Sequence, residues 1–127
     1  MILRIVPKAT AVTNPTDFDG FYAIYYQGTA GPGLAQIQLS EGEIVGADIT
    51  GGLWDGRFAV DLVNHNLTCD VSIRLPPGVT LATTGQPPQG NEASNMKFIL
   101  PHDFATKPYV SLNLPIGKIN VRFQKLR

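Results

Sequence analysis

The sequence predicts an all-β, single-domain protein: an antiparallel up-and-down β-barrel of about eight strands. Three observations carry this. Apolar side chains recur with a period of two over consecutive segments, glycine or proline punctuates most segment boundaries, and no stretch reads as a long helix. Tight connections between many short strands suit a barrel or a sandwich, and closure removes the exposed edges that so apolar a set of strands would present. At 127 residues and 13.7 kDa the chain is one domain, residues 1–127, with enough length to bury a core.

The elements follow in order. Met1 to Val6 is compatible with a short added strand. Gly20 to Gly28 is a strand by composition, aromatic and β-branched between glycines. Phe21 and Tyr25 fall on one face, and Tyr22, Ile24 and Tyr26 on the other, so both faces are apolar. Either the chain itself covers the second face or another subunit does. Gly28 to Gly33, containing Pro32, is read as a turn. Leu34 to Ser40 alternates, Glu41-Gly42 gives a tight hairpin, and Glu43 to Thr50 alternates again, with Val45, Ala47 and Ile49 opposite Ile44, Gly46 and Asp48. Gly51-Gly52 and Asp55-Gly56 bracket Leu53-Trp54.

Arg57 to Val63 is the next strand, with Phe58, Val60 and Leu62 inward, and Asn64-His65-Asn66 a turn. Leu67 to Leu75 alternates most clearly of all and ends at Pro76-Pro77. Val79 to Thr83 is a short β segment, and Thr84 to Asn95, without an apolar period, a mobile surface loop. Met96 to Leu100 is a strand, and residues 101–105 form a turn region with room for one helical turn. Tyr109 to Leu114 and Ile116 to Gln124 make the last hairpin, with Ile119, Val121 and Phe123 inward.

Composition bounds the function. The net charge is zero, so no nucleic-acid footprint appears globally, and no apolar run approaches a membrane span. The start is too short and interrupted for a signal peptide. One cysteine, Cys69, precludes an internal disulfide and suits a reducing compartment, so a cytoplasmic location is expected. Without secretion, the Asn66-Leu67-Thr68 match to a glycosylation acceptor carries no weight. Charge is uneven along the chain: Thr16 to Asp70 holds eight acidic residues and one basic, and Lys97 to Arg127 six basic and one acidic. Either the last strand lies beside the first and the two halves neutralise each other, or the surface is polarised for dimerisation or partner docking.

Candidate chemistry is sparse. Gly28-x-x-Gly31-x-Gly33 lacks the Lys-Ser/Thr ending and the following helix of a phosphate loop. His65 and His102 lie in separate turns, and although Asp103 could orient His102, no nucleophile or second acid accompanies them. Two histidines and one inward cysteine are too few for zinc. Cys69 reads as a buried, inert thiol. No catalytic residue, cofactor or metal site is therefore expected. Asp48, before a glycine turn, either anchors backbone amides or meets a ligand. Trp54 either plugs a barrel end or serves as a partner contact.

The order Asp19-Gly20-x-Tyr22, a glycine-rich turn with Gly31 and Gly33, Gly42-x-Ile44-x-Gly46-x-Asp48 and Trp54-Asp55-Gly56 resembles the GrlR family, small cytoplasmic barrels named for a negative regulator of type III secretion. The resemblance covers Asp17 to Phe58, and Gly117 to Arg127 is similar to uncharacterised bacterial relatives. It implies a calycin-like barrel, a homodimer and regulation by protein binding. In the named regulator an acidic run follows the turn matching Asp55-Gly56; here Arg57-Phe58-Ala59-Val60-Asp61 keeps one acid and adds a base, so the family's activator contact does not carry over.

Two readings result. The first is a non-enzymatic, homodimeric protein-binding barrel with a regulatory role, its interface formed by Phe21, Tyr22, Tyr25 and Tyr26. The second is a carrier of a small apolar ligand in the lumen, with Asp48 and Trp54 as candidate contacts. Phe58, Phe98 and Phe123, if inward, favour a filled lumen and hence the first.

Overall fold

The computed structural model describes residues 15–28, 31–75, 94–114 and 117–127. Among these residues a 3-10 turn, Pro15–Phe18, precedes eight strands: β1 Gly20–Gly28, β2 Gly31–Ser40, β3 Glu43–Asp48, β4 Leu53–Val60, β5 Leu67–Arg74, β6 Ser94–Leu100, β7 Val110–Leu114 and β8 Gly117–Lys125. They form one antiparallel sheet in the order β6-β5-β4-β3-β2-β1-β8-β7. Since β6 and β7 also lie side by side, this is a nearly closed up-and-down barrel. The expected segments at Met1 to Val6, Val79 to Thr83 and most of Thr84 to Asn95 lie outside the described residues; Ser94 and Asn95 belong to β6.

Alternation sorts side chains between lumen and surface. On β5 the burial pattern is strict: Leu67, Cys69, Val71 and Ile73 are buried, while Thr68, Asp70 and Arg74 are exposed. Register then carries the inward set round the wall, through Ile24↔Ala35, Tyr22↔Ile37 and Leu39↔Ile44. The two apolar faces of β1 are thereby explained. Tyr22 and Ile24, each 2% exposed, belong to the core, and Phe21 and Tyr25 face out.

Charge on the outer wall is organised by the same register. Glu43, Arg57, Asp70 and Lys97 oppose one another in turn across β3, β4, β5 and β6. Opposite charges directly across a sheet stabilise by roughly 0.2–1 kcal/mol per pair. On the other side, basic β8 pairs with β1, placing the last strand beside the first, and the Arg122 guanidinium lies 5.2 Å from the Tyr25 ring centroid.

Several boundaries differ from the sequence reading. Pro32 lies inside β2 rather than in a turn, opposite Gln27 of β1. The β3 ladder reaches only to Ala35, so no bond on that side requires an N–H from Pro32. Asp55-Gly56 is not a turn but the middle of β4. A Cβ at Gly56 would lie 2.2 Å from the Asp70 carbonyl oxygen, so glycine there permits close strand approach. β4 ends at Val60, where the Asp61 carboxylate accepts from Val63 N at 2.8 Å. Leu62, expected inward, is 69% exposed in that turn. The Glu41-Gly42 hairpin forms as read, with positive φ at both residues.

One end of the barrel is plugged by aromatic rings. Phe18 enters from the 3-10 turn and Phe104 from the β6–β7 connection, where Phe104 N donates to the Pro101 carbonyl at 3.1 Å. Phe104 packs against Phe18, Tyr22 and Phe123 at centroid distances of 6.1, 5.5 and 4.9 Å, and Phe58 meets Phe18 edge-on at 6.3 Å. The Tyr22 hydroxyl donates to the Phe18 carbonyl at 2.7 Å. Burial of each such ring contributes about 1.5–3 kcal/mol, and the hydrogen bond satisfies the one polar atom that Tyr22 carries into the core.

Candidate functional site: an apolar lumen with a polar mouth

Beyond the plug the lumen is hollow. A cavity of about 120 Å³ runs along the barrel axis, lined by residues of every strand and walled mainly by aliphatic side chains, among them Ile24, Ile37, Val71, Met96, Leu112 and Val121. Phe58, Phe98 and Phe123 do line it, as expected of inward residues, but they leave it unfilled. Phe58 and Phe123 sit low, against the plug, where they meet Phe18 and Phe104. The volume is close to that of the roughly 150 Å³ engineered cavity that admits benzene and stays dry when lined by apolar groups.

The cavity reaches the surface at the opposite end, where the exposed Ile49 and Thr50 join its lining. Here the wall changes character. Asp48 ends β3 with its side chain on the inward-facing register, and its carboxylate organises the turn into β4. Oδ1 accepts from Thr50 N at 3.1 Å, Thr50 Oγ1 at 2.6 Å and Gly52 N at 2.8 Å; Oδ2 accepts from the Trp54 indole Nε1 at 3.0 Å. The anchoring role expected of Asp48 is therefore present. Burial alone would raise the Asp48 pKa, but the Thr50 hydroxyl, the Trp54 indole and the Gly52 and Thr50 amides together hold it below the ordinary carboxylate range. The mouth thus carries a fixed negative charge.

Trp54 neither plugs an end nor stands free on the surface. It is half-buried at the mouth, its indole held by Asp48 and its ring 6.1 Å from that of Tyr26 at a 46° tilt. Tyr26 in turn lies over Gly33, where a Cβ would come within 2.2 Å of the ring; glycine at this position makes the seat for the tyrosine. Burial, and then the Asp48 charge, push the Tyr26 hydroxyl up to about 12, so it stays protonated. Tyr26, Trp54, Asp48 and Thr50 form one constellation around the opening, and Asp48 is the only charged residue lining the cavity among the described residues.

The four aromatic residues expected to form one interface are divided by the barrel. Tyr22 is in the plug and Tyr26 at the mouth, both on the inner face, while Phe21 and Tyr25, each 41% exposed, are on the outer face. No single surface can use all four, because adjacent strand residues point to opposite sides of the wall. Elsewhere, His65 and His102 are brought together at the plugged end, their ring centroids 6.5 Å apart, but neither lines the cavity. Among the described residues no group of three or more His, Cys, Asp or Glu is placed to hold a metal ion, and no helix is long and apolar enough to cross a membrane. Cys69 is 2% exposed in the lumen wall and burial pushes its thiol up to about 12, the state of an unreactive cysteine.

Sequence reasoning missed Tyr26 and Gly33 as mouth residues and Phe18 and Phe104 as the plug. Inward parity for Tyr26 was legible in the alternation of β1; the lone phenylalanines flanking the strands carried no periodic signal. Comparison with known proteins adds nothing further: no family model, curated protein or solved structure matches the chain.

Proposed function

We propose that this protein is a binding barrel that holds a small, mainly apolar molecule in its lumen. The observation that carries the reading is the hollow apolar cavity, closed by aromatic rings at one end and open at the other beside a few convergent polar groups, the general form of a small-molecule site. The residues resembling the GrlR family serve shape: Gly46 and Gly56 permit close strand approach, Gly42 makes a hairpin, Gly33 seats Tyr26 and Asp48 anchors a turn. They support a barrel and leave the regulatory role to the resemblance alone.

Native mass spectrometry on protein isolated gently from its own cells tests the reading, together with calorimetric titration of benzene and 1-hexanol. The expected result is saturable binding of the neutral probes, abolished by the lumen-filling Val71→Phe, and a subunit mass raised by a small organic molecule that denaturation releases. A folded protein that binds neither probe and carries no added mass overturns it.

A second reading, a homodimer, is favoured by the outer face of β1 to β3. Phe21, Tyr25, Leu34 and Val45 are exposed there on adjacent strands, separated by Ala23, Gln36, Gln38 and Ala47 and by no charge. Arg122 flanks this patch beside Tyr25, and Asp55 flanks it beside Val45. A two-fold contact sets such opposite flanks against each other. Replacing Phe21 and Tyr25 by serine should reduce the sedimentation coefficient from that of a dimer to that of a monomer; an unchanged profile removes this interface.

A further inference from the structure

The mouth constellation specifies the kind of head group the lumen would take, an inference that rests on the lumen-binding reading. Three features converge. First, the only charge lining the cavity among the described residues is the Asp48 carboxylate, and its hydrogen bonds hold it ionised. Second, its two oxygens are used unequally: Oδ1 accepts three bonds, whereas Oδ2 accepts one, from Trp54. A carboxylate has about four acceptor sites, two to each oxygen, so Oδ2 retains capacity. Gly52 packs closely against that carboxylate, since a Cβ there would lie 2.5 Å from Oδ2, and Asp48 itself lines the cavity. Third, two electron-rich rings, Tyr26 and Trp54, stand 6.1 Å apart beside the carboxylate.

An anionic oxygen with spare acceptor capacity, with two aromatic rings close by, suits an ammonium group: a charge-assisted hydrogen bond, supplemented by cation–π attraction where the cation meets a ring face. The same charge repels a carboxylate head, and among the described residues no arginine or lysine lines the cavity to receive one. Below the mouth the walls are aliphatic and aromatic, so the rest of the ligand is apolar and of about the size of benzene or a short alkyl chain. We propose that the lumen selects small apolar primary amines, with the ammonium at the mouth against Asp48 Oδ2, Tyr26 and Trp54, and the hydrocarbon body in the barrel.

A charge series of equal length tests this on the unmodified protein. Hexylamine, 1-hexanol and hexanoate are titrated at neutral pH by calorimetry, with Trp54 fluorescence as a second readout. Expected is hexylamine binding about tenfold tighter than 1-hexanol, the scale of one hydrogen bond to a charged partner, and hexanoate weaker than either. Asp48→Asn, whose amide oxygen can still accept in the turn, should erase the amine preference and retain 1-hexanol binding. If that variant does not fold, Tyr26→Leu, which removes one aromatic face and keeps the apolar wall, should lower the amine-to-alcohol ratio severalfold. Equal binding of amine and alcohol, or tighter binding of hexanoate, overturns the head-group assignment and leaves the lumen reading intact. Failure of all three, with benzene also unbound, removes the lumen reading and this inference with it.

Discussion

Trp54 Nε1 donates to Asp48 Oδ2 at 3.0 Å, tying the only indole in the chain to the carboxylate that closes the β3–β4 turn. The bond joins two roles usually kept apart. The group that shapes the loop is also the group that sets the charge at the cavity entrance.

Asp48→Ala removes the acceptor for Thr50 N, Gly52 N and Trp54 Nε1 at once. Donors at a half-exposed turn partly recover water, so the loss is expected at about 2–3 kcal/mol, near the upper range for a hydrogen-bonded charged group. Trp54→Phe removes one bond only and should cost about 1 kcal/mol. Urea denaturation of the two single variants and the double variant checks this, and the two losses should not add, since they share a bond.

Gly33→Ala should be destabilising although the backbone there tolerates alanine, because the new methyl meets the Tyr26 ring. Combining it with Tyr26→Ala should cost less than the sum of the two changes. Full additivity in denaturation would show that the ring is not seated on Gly33.

Phe104→Ala opens the plugged end. The residue is 1% exposed and touches three other rings, so a loss of about 3–5 kcal/mol is expected. Thermal unfolding measures it, and a loss below 1 kcal/mol would mean that the end closes without this ring.

Raised pKa values make an alkaline prediction. Tyr22 and Tyr26 rise from 10.0 to about 12 and Cys69 from 9.0 to about 12, chiefly through burial. Between the ordinary and raised values the unfolded chain binds fewer protons than the folded one, so stability falls as pH rises. Their contribution should be constant below about pH 9 and decline from there toward pH 12, with Cys69 first. Denaturation midpoints across this range check the slope, and Cys69→Ala should remove its earliest part. In the native state at neutral pH, Cys69 should resist thiol reagents until the barrel opens.

Much of the fold was legible because the barrel wall obeys one rule, alternation, which residues 67–75 display without exception. The places where the reading slipped are those where a different force decides. Gly56 looks like a turn residue but serves close strand approach, information held by Asp70 on the neighbouring strand. Leu62 continues an apolar alternation, yet Asp61 caps the turn and turns the chain away. At the site, Asp48 was visible as an anchor before glycines, whereas its partnership with Tyr26 depends on β1, β2 and β3 lying in register. Sequence alone also could not set the lumen's volume, since three inward phenylalanines fill or do not fill a barrel according to how far along the axis each one sits.

Among the described residues seven ladders bind the strands of this wall, and none joins β6 to β7. A ladder fixes neighbouring strands about 4.8 Å apart, so a barrel laddered all the way round has a set circumference. This one is a split ring. Side chains on both flanks of its seam, Met96 and Phe98 on β6 and Leu112 and Leu114 on β7, face the lumen. That seam is where the described wall holds together without backbone hydrogen bonds, and the amides of β6 and β7 that face it should exchange their hydrogens faster than those bound in the ladders.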